Sequence, residues 1–208
     1  MMHLNKQEFQ AWAFDNLLAN TTRGLLAEYI VATATGALAP RREWNQYDLK
    51  VGDIGVEVKS AAYVQAWKQA QPSVISFDIG LKTGWDAETD TRAAGPCRSA
   101  DVYVFCLLKE KDLDRVKPLD VEQWTFYVLA TSVLNRERPV EKTIRLEPLK
   151  ALGAKQCTYD GLKAAIEEVA EGQPRRPTTT LGPCSHSPLQ DRVDINISEA
   201  ANPLYVDP

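Results

Sequence analysis

The sequence predicts an α/β protein, and three patterns predict it. Apolar residues between Asn5 and Gly36 recur at helical spacing, those between Arg42 and Ser60 switch to strand-like alternation, and Val102–Leu108 is an almost wholly apolar run. A run of that kind suits a central strand covered on both faces. An amphipathic helix follows near the end of the patterned region, so helices and strands intermix along one chain.

The elements follow in order. Asn5 caps a first helix, Glu8 completes an approximate capping box, and Leu4 and Phe9 occupy the staple positions. Phe9, Trp12, Ala13 and Leu17 form its expected inward stripe. Asn20-Thr21-Thr22 breaks and recaps the chain, and a second helix is expected from Arg23 to about Thr35. Leu25, Leu26, Tyr29, Ile30 and Ala34 are its expected buried side, and Gly36 is its stop. Strands are expected at Arg42–Lys50 and Ile54–Ser60, with Val51-Gly52-Asp53 as the turn between them. Further strands are expected at Ser73–Ile79, Val102–Leu108 and Trp124–Ala130. Tyr159–Ala170 reads as a helix with Leu162, Ile166 and Val169 inward, ended by Gly172 and Pro174. The polar, glycine-bearing segment 82–99 reads as a long loop at the site. Residues 1–171 thus form one domain, and 172–208, with Pro174, Pro177, Pro183 and Pro188, a proline-rich tail that is loosely structured or drapes over a partner.

Composition narrows the function classes. The 208 residues are 44% hydrophobic and 25% charged, ordinary for a globular protein that buries a core without disulfide or metal staples. A net charge of −4 argues against a protein that coats nucleic acid indiscriminately, while leaving room for a local basic groove. Cys97, Cys106, Cys157 and Cys184 form no CxxC pair, and Cys106 sits in the apolar run as a small hydrophobe. A polar N-terminus and the lack of a long apolar stretch predict no secretory signal, no membrane partner and a cytoplasmic location.

The chemistry concentrates in Tyr47-Asp48-Leu49-Lys50-Val51-Gly52-Asp53-Ile54-Gly55-Val56-Glu57-Val58-Lys59-Ser60. Alternation puts Glu57 and Lys59 on one face of the second strand and Val56 and Val58 on the other. Phosphodiester hydrolysis needs an attacking water and charge stabilisation, and a hard divalent cation held by one or two carboxylates supplies both. Asp48 and Glu57 are placed to hold Mg2+ or Mn2+ together, with the backbone carbonyl of Val58 as a further ligand. Lys59 orients the water, helps deprotonate it, or stabilises the phosphate. Glu28, from the preceding helix, holds a metal-bound water or a second ion.

These residues resemble the PD-(D/E)xK nuclease superfamily. Glu28, Asp48 in Tyr-Asp-Leu, Glu57-Val58-Lys59 and the following Ser60 match its pattern; Tyr47 stands where the motif has proline. Arg23-Gly24 upstream of Glu28 is similar to Holliday-junction resolvases and some type II restriction enzymes. The resemblance spans about residues 20–108. It implies a restriction-endonuclease-like central mixed sheet flanked by helices, magnesium or manganese dependence, and DNA cleavage leaving 5′-phosphate and 3′-hydroxyl ends. It also implies a possible homodimer, so that two sites address two strands. The alternative is a non-catalytic DNA- or protein-binding module on the same fold.

Other residues are weaker candidates. Tyr63, Gln65 and Trp67 alternate after Lys59, so an extended chain would turn all three one way; Gln65, with Ser60, is the candidate for substrate contact. Asp53 is an alternative acid but suits its turn for backbone reasons. Arg41, Arg42 and Lys50 are either groove cations or ordinary edge charges. Trp85, Asp86, Asp90, Arg92 and Arg98 either read DNA or belong to a polar loop. His3 is terminal, and Cys184 with His186 lacks two further ligands for zinc.

Overall fold

The computed structural model describes residues 3–39, 46–83, 85–86, 91–92 and 95–171. It is a mixed α/β structure, as the sequence predicts. Helix α1 covers Lys6–Ala13, and Asn5 Oδ1 accepts from the N–H groups of Gln7 and Glu8 at 2.8 and 3.3 Å. The Asn5 cap holds, but the Leu4–Phe9 staple and most of the inward stripe do not, since Leu4 and Phe9 are both exposed. No residue of α1 is buried, and Phe9 and Trp12 are 58% and 79% exposed. The helix ends at Ala13, and of the expected stripe Leu17, beyond the helix end, packs against the core together with Leu18.

Helix α2 runs Asn20–Thr35, three residues earlier than expected. Its first turn is tied down by a side chain: the Arg23 guanidinium donates to Leu18 O (2.8 Å) and Asn20 Oδ1 (2.7 Å). Burying Arg23 sets the face, so Leu26, Ala27, Ile30 and Val31 are buried while Tyr29 is exposed and Leu25 and Ala34 are half-buried. Gly36 ends the helix at φ 74°, in the left-handed region that costs glycine least.

The strands are β1 (Leu49–Val51), β2 (Ile54–Ala62), β3 (Ser76–Asp78), β4 (Trp85–Asp86), β5 (Thr91–Arg92), β6 (Val102–Leu108), β7 (Trp124–Ala130), β8 (Thr143–Arg145) and β9 (Lys155–Cys157). The central sheet has the order β1-β2-β6-β7-β9; β2 and β6 are parallel and the other pairs antiparallel. β3 pairs with β8, and β4 with β5, in two small sheets. The expected first strand is cut short. Residues 40–45 lie outside the described residues, and ladder pairing starts only at Leu49. Leu49 stands opposite Val56, yet the Asp48 N–H also donates to Val56 O (3.1 Å). Two residues against one is a bulge, and it turns Asp48 out of the regular ladder.

The sheet carries a core on each face. Val56, Val58, Val104 and Phe126 pack beneath α2 and α5 (Leu162–Glu171). Ala61, Tyr103, Phe105 and Leu129 pack beneath Phe77, Ile144 and Leu149, which come from β3, β8 and α4 (Leu146–Ala151). β6 is buried along its whole length, and Cys106 is a buried free thiol. β8, β9, α4 and α3 (Thr131–Glu137) were not legible in the sequence. They are three to seven residues long and exist because partners complete them. The tail from 172 lies outside the described residues, and among those described no helix is long and apolar enough to cross a membrane.

Candidate active site

β2 positions the centre of the site. Glu57 and Lys59 lie on the face shared with Ala61, beside Tyr103 and Phe105 of β6. Both are held among apolar neighbours, with side chains 11% and 14% exposed, and Lys59 Nζ donates to Glu57 Oε1 at 2.6 Å. Asp48 joins them through its bulge. Its Oδ2 accepts the Val58 N–H at 2.7 Å, taking the place a continuing β1 carbonyl would have had.

The electrostatics show how close these groups are. Burial, and next the negative charge of Glu57, push the Asp48 carboxyl from 3.8 up to about 7. The Val58 N–H opposes that rise, and the charge of Glu28 adds to it. Burial by itself would lower the Lys59 pKa, but the Glu57 charge and hydrogen bond outweigh it, and Lys59 is held as an ammonium. The Tyr103 phenol is raised by burial and then by Glu57. The helix-borne Glu28 and the strand-borne Glu57 and Lys59 are thus each within electrostatic reach of the bulge-borne Asp48.

A family model described as Bacteriophage T4 endonuclease IV matches residues 7–147. The chain belongs to that family. No curated protein and no solved structure matches it. The span shared with the endonuclease IV family opens in α1, ends in α4 and contains the whole acidic cluster.

Among the described residues no three His, Cys, Asp or Glu side chains form a metal-holding group. The donor set to weigh is therefore two carboxylates with a backbone carbonyl. It fits a hard cation. Asp48 keeps its proton up to about pH 7 because burial, and next the charge of Glu57, disfavour its ionised form, and a divalent cation in place of that proton would relieve both.

The other candidates in this endonuclease IV-family chain fall elsewhere. Ser60 is half-buried and shares the α2-side face with Val58 and Ala62, opposite Lys59. Gln65 does not extend the line of β2. The strand ends at Ala62, and Gln65 folds back with Nε2 donating to Ala62 O (2.8 Å) and Ser73 Oγ (3.2 Å), while Oε1 accepts from Arg23 Nη1 (3.2 Å). It is buried, whereas Trp67 is exposed, so the expected shared orientation is lost. Gln65→Ala is expected to cost about 1–3 kcal/mol in urea unfolding by stranding a buried guanidinium donor. Turnover per folded molecule should be unchanged; a collapse in turnover at intact stability would return Gln65 to the substrate.

Arg98 is also structural. It is 1% exposed and donates to Ile79 O, Asn135 Oδ1, Arg138 O and Glu141 O, which clamps β3 to the segment before β8. Asp53 pairs with Lys50 across the exposed turn at 3.8 Å. His3 is exposed; Arg41, Arg42, Asp90, Cys184 and His186, with the side chains of Trp85, Asp86 and Arg92, lie outside the described residues.

Lys82 went unread in the sequence. Its backbone bridges to Cys97, and its Nζ stands 3.4 Å from Glu57 Oε1 and 3.5 Å from Asp78 Oδ2. Nothing local marks it, because the bridge that delivers it pairs residues fifteen apart within a segment that reads as loop. A separate groove of about 570 Å³ lies past the C-terminal end of β2, lined in part by Tyr63, Ile75, Lys111 and Arg145. The carboxylate cluster takes no part in it.

Proposed function

We propose that the chain is a deoxyribonuclease that hydrolyses phosphodiester bonds in a magnesium- or manganese-dependent reaction, through a PD-(D/E)xK site of the restriction-endonuclease-like kind. The observation that carries this reading is the convergence of Asp48, Glu57 and Lys59, in a chain of an endonuclease family. Asp48, Glu57 and the Val58 carbonyl would hold the cation. When bound, the cation neutralises charge on the phosphate and acidifies the attacking water.

The chain's own groups do the rest. In the metal-free chain Glu57 anchors Lys59 in its ammonium form, and Lys59 is placed to donate to the phosphate or the water. The Val58 N–H fixes the Asp48 rotamer, which keeps the two carboxylates converging. Glu28 adds negative charge on the α2 side and serves to orient a water. A homodimer would bring two such sites to two strands; a monomer by light scattering ends that part.

The test is nicking of supercoiled plasmid in Mg2+ or Mn2+, with an EDTA control, by wild type and by Asp48→Ala and Lys59→Ala. Metal-dependent nicking by wild type and none by either variant is expected. Equal behaviour of all three would leave a non-catalytic binding module.

A further inference from the structure

We infer that Lys82 is a displaceable counter-ion of Glu57: it holds the carboxylate in the metal-free protein, leaves when a divalent cation binds, and then contacts a phosphate of the DNA substrate. This rests on the nuclease reading above.

Glu57 Oε1 is shared by two ammonium groups, Lys59 at 2.6 Å and Lys82 at 3.4 Å. A cation bound at Glu57 repels both at short range in a poorly solvated spot. They are not equally able to withdraw. Lys59 is 14% exposed and lies on β2 opposite Phe105, so it is the more enclosed of the two. Lys82 is 58% exposed and has a second acceptor ready in Asp78, 3.5 Å away and 52% exposed. Its backbone does not need to move, since the paired hydrogen bonds with Cys97 (3.0 and 2.9 Å) fix the base of a flexible stem. A released ammonium there stands at the solvent side of the carboxylate cluster, where the phosphate of an approaching strand must come. The site thus exchanges one positive charge for a stronger one and keeps the first for the substrate.

The test uses the full chain with Lys82→Gln and Lys82→Arg. Calorimetric titration with Mn2+ alone is expected to show binding about three- to fivefold tighter in Lys82→Gln, because a competing cation has gone. The KM for DNA should rise about fivefold with kcat within about twofold, and the salt slope of DNA binding should fall by about one; Lys82→Arg should retain most of the KM. A merely structural lysine would change the melting temperature without tightening manganese binding. An unchanged manganese affinity or an unchanged KM in Lys82→Gln overturns the inference. If wild type takes up manganese and cuts DNA, only the role of Lys82 falls; if it does neither, the nuclease reading itself falls.

Discussion

Lys59→Ala is expected to lower kcat for plasmid cleavage by about a thousandfold, the loss typical of removing a charged group aimed at the transition state. KM should change little, because Lys59 is drawn inward onto Glu57 and contributes to the reacting phosphate more than to general DNA affinity. Lys59→Arg should restore little, since a planar fork does not fit the place of a compact ammonium packed beside Phe105. Steady-state cleavage at varied plasmid concentration measures both quantities. Cleavage by Lys59→Ala at the wild-type rate would remove this residue from the chemistry.

Asp48→Asn is expected to abolish cleavage while stabilising the metal-free protein. The Asp48 carboxyl is raised from 3.8 to about 7 by burial and by Glu57, so between those values the native state keeps a proton that the unfolded state has released. Stability therefore falls as pH rises from about 4 to about 7 and is level above that. Asparagine keeps an acceptor for the Val58 N–H and never ionises. The stability difference, variant minus wild type, should grow from near zero at pH 4 to on the order of 2–4 kcal/mol at pH 8. Manganese affinity of the wild type should climb about tenfold per pH unit below 7 and flatten above, because the cation displaces that proton. Chemical denaturation and metal titration at several pH values check this. A wild type whose stability is flat from pH 4 to 7 would mean that Asp48 does not share a buried spot with Glu57. A variant both more stable and inactive is the pattern of a site whose function opposes folding.

Much of the candidate site's layout was legible in sequence because its geometry is local. Glu57 and Lys59 share a face by strand alternation alone, and the turn at Gly52 returns the chain so that Asp48 comes back beside them. Glu28 was legible as a helix glutamate ahead of the hairpin. Its electrostatic contact with Asp48 required α2 to pack on β2. The burial of Gln65 and Arg98 escaped the sequence for one reason. Gln65 follows an expected strand and Arg98 sits in an expected loop, and both are buried because distant backbone and side-chain groups satisfy them. The α1 stripe misled in the opposite direction: its periodicity is real, but nothing among the described residues covers it.

The sequence by itself determined the α/β class, the main strands, the Asn5 cap of α1, the C-terminal limit of α2 and the acid–acid–lysine order, since each depends on residues within a few positions of one another. The tertiary structure decided the rest. It set the bulge that aims Asp48 at the Val58 N–H, turned α2 by burying Arg23, withdrew Gln65 into the interior and brought Lys82 to Glu57. Each of those outcomes is a competition for a buried hydrogen-bond partner far away along the chain, and a one-dimensional pattern does not record which partner wins.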